Sequence, residues 1–326
     1  MIKHISIRLF WVIIFTLLSC QVLPQRVAVV LSGGGAKGLA HVGVLKALEE
    51  YEIPIDYIVG TSMGAVIGGL YASGYSPDSI AKLVSSDKFS DWTNREIDDQ
   101  YAYYFKQYES NASWISVKFN YDDVNRRITG KFPVTLLPSF ELDFSLLELY
   151  ASASAASGYD FNDLFVPFRC VAADIDSNQA VIFTKGQLGT AVRASMTFPF
   201  YFKPIEVDGK YLFDGGMYNN FPSDVAMEDF NPDVIIGSKA AGNYGSPSDD
   251  DLILQLQNML MKPADFDLDS LSGILLEHDL ADRSLFDFSR AEEVIAVGYQ
   301  TTLDNMGGIY DLVSRRVPSV DLIRCL

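Results

Sequence analysis

Three short motifs place chemically useful side chains beside glycines. They are Gly33-Gly34-Gly35-Ala36-Lys37-Gly38, Gly60-Thr61-Ser62-Met63-Gly64 and Asp214-Gly215-Gly216. A serine between glycines at this spacing fits the sharp strand-to-helix turn that exposes a nucleophilic hydroxyl. The third motif supplies a carboxylate that can accept the proton of such a nucleophile. Together the motifs indicate acyl-transfer chemistry carried by a serine.

The segments around Ser62 favour this interpretation. Residues 55–59 predict a short buried strand, and residues 65–72 predict a helix of small residues packed close to it. Glycine suits positions 60 and 64 because a side chain at either would collide across the turn. The alternative is that Ser62 only caps the helix.

The glycine run at residues 33–38 follows an apolar segment, residues 26–31, that predicts a buried parallel strand. Successive N–H groups of such a run can converge on one point, and the next helix adds its positive end. The run also satisfies the dinucleotide fingerprint G-x-G-x-x-G, but Gly60-Thr61-Ser62 stands where that fingerprint wants an acidic residue. Lys37 precedes Gly38, which is not the order of a P-loop. We therefore expect an oxyanion hole.

The general base is predicted to be a carboxylate. The chain has three histidines, His4, His41 and His278, and none lies near the motifs in a favourable context; His41 is expected to be a packed or surface residue of a helix. Asp214 follows a predicted strand and precedes two glycines, although an Asp-Gly pair is also a common turn signal. Asp174 is the rival, and it is expected to be structural because it lacks the glycine pair.

The order and form of the motifs resemble the patatin-like phospholipase family, which combines a G-G-G-x-[K/R]-G loop, a G-x-S-x-G elbow and a D-G-[A/G] motif. The resemblance runs from about Arg26 to about Gly237. It includes Ala194-Ser195-Met196 before the aspartate and Asn219-Asn220-Phe221-Pro222 after it. It implies an α/β fold of three layers, in which helices flank a central, mostly parallel sheet and the active site lies at the strand carboxyl ends.

The resemblance also implies a catalytic dyad and a substrate class. Ser62 would attack an ester carbonyl and form an acyl-enzyme, while Asp214 would act as the general base, its pKa raised by burial. The implied oxyanion hole and motif glycines are Gly33, Gly34, Gly35, Lys37 and Gly38, with Gly60, Gly64, Gly215 and Gly216. The expected function is a serine lipid acyl hydrolase of phospholipase A, lipase or carboxylesterase type, acting on phospholipid or other fatty-acyl esters in lipid metabolism. No metal and no organic cofactor is expected.

Two alternatives stay open at this point. One is a catalytically weak protein that binds or assembles components of the cell envelope. The other is an acyltransferase or thioesterase that uses Ser62 with an acceptor other than water or with a thioester.

The N-terminus predicts export from a bacterial cytoplasm. Lys3 and Arg8 precede an apolar run at residues 9–18, which is too short to span a bilayer and suits the core of a signal peptide over residues 1–19. Leu17-Leu18-Ser19-Cys20 resembles a lipobox, so that Cys20 would be the lipidated first mature residue. Ordinary signal cleavage is the competing interpretation, and a retained anchor is a third. A periplasmic or outer-membrane-associated protein is expected.

Charge and composition limit the partners. The formal net charge is −17, which argues against nucleic acid and against attraction to anionic lipid. Membrane contact would then use a lipid anchor or an apolar patch, and a homodimer is compatible with the sequence. The aromatic segment at residues 101–121 suggests an inserted hairpin, and residues 140–150 suggest an amphipathic helix, with ordinary packing as the alternative for both.

Two further expectations concern the domain limits and the cysteines. Residues 26–237 are expected to form the catalytic domain, and residues 238–326 a helical extension that packs on it or follows it. Cys170 is expected to be a buried small apolar residue, because the cysteine spacings give neither a disulfide framework nor a metal site.

Overall fold

The computed structural model describes residues 25–86, 89, 118–122, 127–131, 140–243, 245, 252–318 and 322. The predicted signal peptide with Cys20, and most of the aromatic segment, lie outside these residues. The strands are β1 Val27–Leu31, β2 Tyr57–Thr61, β3 Lys118–Asp122, β4 Arg127–Lys131, β5 Phe168–Asp174, β6 Gln179–Phe183, β7 Ile205–Val207, β8 Lys210–Asp214, β9 Val234–Lys239 and β10 Gly273–Glu277. The α-helices are α1 Ala40–Glu50, α2 Met63–Ala72, α3 Pro77–Val84, α4 Phe140–Ala156, α5 Leu188–Ser195, α6 Ser223–Phe230, α7 Leu252–Leu260, α8 Ala291–Asp304 and α9 Met306–Leu312. Short 3-10 helices are Gly35–Leu39, Phe161–Asp163 and Gly215–Met217.

The sheet has helices on both faces, and β1 shows why. All five residues of β1 are buried, as a continuous apolar run in a parallel sheet requires. Val27, Val29 and Leu31 join the larger apolar core, which includes buried residues of helices α1 to α5 and α8. Ala28 and Val30 point to the other face and pack with residues of α6. This confirms the predicted three-layer α/β class.

The sheet contains eight strands and is mostly parallel at its centre. The order is β10-β9-β1-β2-β5-β8-β7, and β6 pairs with β5 outside this path. The pairs from β10 through β9, β1 and β2 to β5 are parallel, whereas β8 pairs antiparallel with β5 and with β7. The carboxyl ends of β1 and β2 therefore meet at one edge of the sheet, where the glycine run and the Ser62 turn begin.

Asp214 reaches the same edge by a different route from the one predicted. We expected the site at the carboxyl ends of the parallel strands, but β8 runs antiparallel to β5. The register pairs Thr61 with Val171 and Asp214 with Ala172, so β5 carries the two motifs on neighbouring rungs. Antiparallel pairing at the carboxyl end of β5 is what brings the last residue of β8 beside the Ser62 turn.

The region from residue 238 onward adds a strand as well as helices. A helical extension was predicted here, yet β10 pairs with β9 and forms an edge of the central sheet. Helix α8 packs on α1 at very short range, where a Cβ at Gly43 or at Gly298 would overlap backbone atoms of the facing helix. The described C-terminal residues therefore share the core of the preceding region.

The two other sequence expectations fall partly within the described residues. Strands β3 and β4 form an antiparallel pair, which includes the last residues of the predicted aromatic hairpin. Helix α4 is longer than predicted; Leu142 and Leu146 are buried, whereas Phe144 is 58% exposed. Cys170 is buried in β5, as predicted. Within the described ranges, none of the helices combines the length and apolar character needed to cross a membrane.

Candidate active site

The Ser62 turn has the backbone geometry of a strained elbow. Ser62 lies between β2 and α2 with φ 54° and ψ −122°, a conformation that a residue with a side chain rarely adopts. A Cβ at Gly60 would overlap the carbonyl of Gly64, and a Cβ at Gly64 would overlap the carbonyl of Leu31. Both glycines are therefore needed for the backbone to turn this closely, as the sequence predicted.

The hydroxyl of Ser62 is hydrogen-bonded to Asp214. Its Oγ donates to Oδ2 of Asp214 at 2.7 Å, and Oδ1 of Asp214 accepts from the N–H of Gly216 at 2.8 Å. Asp214 is 2% exposed. Burial raises the pKa of this carboxyl group to about 6, although the hydrogen bonds from Ser62 and Gly216 oppose the shift. A carboxylate of this basicity can accept a proton near neutral pH.

Ser195 is a second buried hydroxyl in contact with the Ser62 turn. The N–H of Ser62 donates to Oγ of Ser195 at 3.0 Å, and that Oγ donates to the carbonyl of Val171 at 2.6 Å. Ser195 is completely buried at the end of α5. It fixes the strained peptide of Ser62 and occupies its N–H. No pattern in the sequence predicts this contact, and Ser195 stood out only as part of a segment that resembles the family.

The glycine run offers fewer free amides than predicted. The N–H of Gly33 donates to the carbonyl of Asn220 at 3.0 Å, and the N–H of Lys37 donates to the carbonyl of Gly34 at 3.1 Å. An amide that already donates to a protein carbonyl is not available to an oxyanion, which corrects the prediction for these two residues. The N–H groups of Gly34 and Gly35 have no acceptor among the described residues, and both glycines line the same pocket as Ser62.

The other predicted glycines allow close packing around the two side chains. A Cβ at Gly38 would lie 2.6 Å from the side chain of Met63, and one at Gly216 would lie 2.7 Å from the amide oxygen of Asn220. A Cβ at Gly215 would overlap the carbonyl of Val171. Burial lowers the pKa of Lys37, an effect that Asp282 opposes.

His41 supports the glycine run and does not contact Ser62. Its Nε2 lies 2.8 Å from the carbonyl of Ser32, and its Nδ1 lies 2.7 Å from Oγ of Ser238. Because a carbonyl only accepts, Nε2 must carry the proton. Burial lowers the pKa of His41 to about 3, so the ring is neutral and Ser238 donates to Nδ1. His278 then donates to Ser238 from Nε2, at 2.9 Å. His41 is thus the packed helix residue that the sequence predicted.

Asp174 closes a turn at the end of β5. Its Oδ1 accepts from the N–H groups of Asp176 and Ser177, at 3.0 and 3.3 Å, and its Oδ2 lies 3.4 Å from Nζ of Lys210. A hydrogen bond from the Ser177 side chain is the largest cause that lowers the pKa of the carboxyl group, and the two N–H groups and Lys210 add to it. A carboxylate held in this way is a poor base, which agrees with the structural role expected for it.

An apolar pocket opens beside Ser62 and Asp214. One wall comes from α2 and α4, with Met63, Val66, Leu70, Leu142, Leu146 and Leu149. A second wall comes from the loop after α5 and from the C-terminal region, with Met196, Phe198, Tyr201, Phe202, Leu285, Phe286 and Phe288. Such a cavity suits a hydrocarbon chain and offers few partners to a polar substrate.

The buried guanidinium of Arg193 holds two of these elements together. It donates to Asp143 of α4 at 2.5 Å, to Oγ1 of Thr197 at 2.5 Å and to the carbonyl of Lys203 at 3.3 Å. It also lies 5.1 Å from the centroid of the Phe202 ring. The loop that carries the aromatic pocket residues is therefore anchored to the helix that lies across the pocket.

Sequence comparison relates this chain to known proteins. A family model described as patatin-like phospholipase matches residues 29–227. A patatin-like phospholipase domain-containing protein of Caenorhabditis elegans is 32% identical over 213 residues, which cover 65% of this chain and 13% of that protein. An uncharacterized NTE family protein of Mycobacterium bovis is 30% identical over 225 residues, which cover 69% of this chain and 52% of that protein. The chain thus spans about half of the mycobacterial relative and a small part of the nematode one.

Similar solved structures include VipD from Legionella pneumophila. That structure is 14% identical, with a TM-score of 0.46, over 87% of this chain and 67% of the VipD chain. The match to the family model covers more than half of the 326 residues and includes Ser62 and Asp214. The chain belongs to the patatin-like phospholipase family.

Proposed function

We propose that this protein hydrolyses fatty-acyl esters through Ser62 and Asp214, with phospholipids as the leading substrate class. The observation that carries the proposal is the 2.7 Å hydrogen bond from Ser62 to the buried Asp214 at an apolar pocket. Membership of the patatin-like phospholipase family supports lipid acyl hydrolysis in general. The dyad, the ester substrate and a part in lipid metabolism are the finer points of the proposal.

The first half of the reaction acylates Ser62. Asp214 accepts the hydroxyl proton as Oγ attacks the carbonyl carbon of the ester. The negative charge that develops on the carbonyl oxygen is stabilised by the N–H groups of Gly34 and Gly35. The carbon–oxygen bond to the leaving group then breaks, and the leaving alcohol or lysophospholipid takes the proton from Asp214.

The second half of the reaction releases the fatty acid. Water attacks the acyl carbon of acyl-Ser62 and gives its proton to Asp214. The same two amides stabilise the second oxyanion. Collapse of this intermediate breaks the bond to Oγ of Ser62, which recovers the proton from Asp214. The side chains are thus returned to their starting state without any other reactant.

The proposed place of action is the bacterial cell envelope. Support comes from the sequence alone, namely the signal-peptide pattern over residues 1–19 and the lipobox that ends at Cys20. Contact with a membrane would use this lipid anchor or an apolar surface, because the net charge of −17 gives no attraction to anionic headgroups.

The test is release of free fatty acid from mixed phospholipid vesicles and from short-chain esters by the purified mature chain. We expect Ser62→Ala and Asp214→Asn each to lower kcat by at least about a thousandfold, as removal of a reacting group does. Ser73→Ala is a matched control, since Ser73 is also buried and lies at the far end of α2. Full activity in either site variant, or no hydrolysis by the folded parent, would contradict the proposal.

A further inference from the structure

The C-terminal region supplies an aromatic part of the pocket wall. After β10 the chain runs through residues 280–290 without regular secondary structure, beyond the part that the family model matches. Phe286 lies parallel to Tyr201, with ring centroids 4.1 Å apart and planes 8° apart. It also meets Phe198 edge-on at 5.7 Å. The Phe286 ring is therefore held in one orientation in the wall.

The same segment is tied to the glycine run. The carbonyl of Leu285 accepts from the N–H of Ala36 at 2.8 Å. Three residues further on, Phe288 meets Phe89 edge-on at 5.8 Å. The segment 285–288 thus contacts the predicted oxyanion loop at one end and a second apolar element at the other, which fixes Phe286 relative to Ser62.

The length of the pocket wall formed by α2 and α4 follows from the helix geometry. On α2, Met63, Val66 and Leu70 lie on one side of the helix, and α4 contributes a similar set from Leu142 to Leu149. Each set spans eight residues, and the seven rises between its first and last residue amount to about 10 Å in an α-helix. An extended hydrocarbon chain advances roughly 1.2 Å per bond, so this length accommodates about eight carbons.

We propose that Phe286 determines acyl-chain selectivity, by closing a pocket that holds one straight acyl chain and contacts about its first eight carbons. The inference rests on the proposed function for the identity of the chain as the acyl group of an ester. Its physical basis is apolar burial: each methylene that lies between Phe286 and the helices leaves water, whereas an acetyl group does not extend along the walls.

The first arm of the test is a series of esters that differ only in acyl length. In the parent, kcat/KM should increase with each added carbon up to about eight and then level off. Phe286→Ala should lower kcat/KM for the octanoyl ester by about tenfold and leave the acetyl ester within about twofold. Phe286→Trp should make kcat/KM level off at a shorter acyl chain. An equal loss on all esters, or no change in the profile, would overturn the inference.

Phe266→Ala is the matched control for this series. Phe266 is also a half-buried aromatic residue of the C-terminal region, but it packs on Phe221, at 5.1 Å, and under Lys239, away from the pocket. It should change thermal stability without changing the ratio of octanoyl to acetyl hydrolysis. If this control shifts the ratio as much as Phe286→Ala does, the selectivity does not come from the wall.

The second arm measures binding without turnover, which separates the inference from the proposed function. In the Ser62→Ala background, butanol, octanol and dodecanol are titrated calorimetrically; they are neutral, so the buried Asp214 does not repel them. Octanol should bind much more tightly than butanol, and adding Phe286→Ala should remove about tenfold of that difference. Equal affinities would overturn the inference. Length-dependent binding by a parent that hydrolyses no ester would instead contradict only the proposed function.

Discussion

The region matched by the family model and the described C-terminal residues contribute to the site in different ways. The first, residues 29–227, contains the two side chains that are proposed to react, and it holds them by short hydrogen bonds such as Ser62 to Asp214. The second, from residue 238 onward, gives the glycine run a backbone carbonyl, that of Leu285, and gives the pocket apolar surface from Met261 and from the segment 285–288.

The geometry of the groups proposed to react and the shape of the pocket therefore have separate physical origins. The groups proposed to react are held by a few turns in which particular backbone positions accept only glycine. The pocket depends on ordinary apolar packing between segments far apart in the chain. The two regions of the chain contact each other where Leu285 binds the glycine run and where α8 packs on α1. Substitutions at these contacts therefore test how independent the regions are.

Among the contacts between the two regions, the largest effect is expected at Gly35. Gly35 has φ 54°, and a Cβ there would overlap the carbonyl of Leu285. Gly35→Ala should therefore displace the glycine run and lower kcat by about a hundredfold to a thousandfold, the usual cost of losing an oxyanion donor. Steady-state kinetics on a short-chain ester measures it.

Gly209→Ala is the control for this substitution. Gly209 has φ 77° in the turn between β7 and β8, with nothing within 4 Å of the added methyl group. It should cost stability through backbone strain alone and leave kcat unchanged. If both variants lose activity equally, the contact with Leu285 has no bearing on catalysis.

The crossing of α8 over α1 should control stability. A Cβ at Gly298 would overlap the backbone of Ala40, so Gly298→Ala should lower the free energy of unfolding by about 3 kcal/mol, as overpacking does. Gly307 lies in α9 with open space around it, and Gly307→Ala should instead stabilise by about 0.5 to 1 kcal/mol. Urea denaturation measures the free energy of unfolding of both variants. Similar free energies would mean that helix α8 is not part of the cooperative core.

Asp214 should make activity and stability respond to pH in opposite directions. Activity needs the carboxylate, so kcat/KM should increase about tenfold per pH unit below pH 6 and level off above it. The folded protein binds this proton more tightly than the unfolded chain does, because burial raises the pKa to about 6 from 3.8. The contribution of Asp214 to stability therefore falls as pH rises through this window, at a cost of about 3 kcal/mol above it.

Asp214→Asn should then be inactive. It should be more stable than the parent at pH 8, and this gain in stability should be smaller at pH 4. Chemical denaturation at both pH values measures this, with Glu206→Gln, at the exposed position of strand β7, as a control for loss of a surface charge. If Asp214→Asn differs from the parent in stability by the same amount at pH 4 and at pH 8, the pKa of Asp214 is not raised.

The smallest effect is expected at Ser195, within the first region. Ser195→Ala leaves the N–H of Ser62 without its acceptor, so the strained turn should relax and kcat should fall by about tenfold. KM should stay the same because the pocket walls do not move. Ser73→Ala removes a buried hydroxyl that bonds the carbonyl of Gly69, and it should lower stability without changing kcat. Equal kinetics for the two variants would remove Ser195 from the site.

The residues proposed to react are marked in the sequence because their neighbours are sterically determined. Gly60 and Gly64 must be glycine for the turn at Ser62 to close, and Gly215 must be glycine beside β5. A pattern of this kind is local, so it is visible along the chain. The same holds for β1, whose continuous apolar run is typical of a strand buried on both faces.

The remaining parts of the site depend on contacts that leave no local pattern. Ser195 lies 133 residues from Ser62, and nothing in its own helix distinguishes it from a residue that only packs. Strand β10 is a short apolar run that could equally be part of a helix, and only its pairing with β9 makes it a strand. Distant residues also decide which N–H groups of the glycine run are left free at the pocket. The carbonyl of Asn220 accepts from Gly33, and the carbonyl of Leu285 accepts from Ala36.

Covalent labelling tests the proposed dyad most directly. The purified mature chain is treated with a fluorophosphonate, and the modified peptide is identified by mass spectrometry while the labelling rate is followed. We expect one label, on Ser62, in the parent, none in Ser62→Ala, and labelling at least about a hundredfold slower in Asp214→Asn, since the nucleophile then lacks its base. A label on another serine, or an unchanged rate in Asp214→Asn, would contradict the assignment of Ser62 and Asp214.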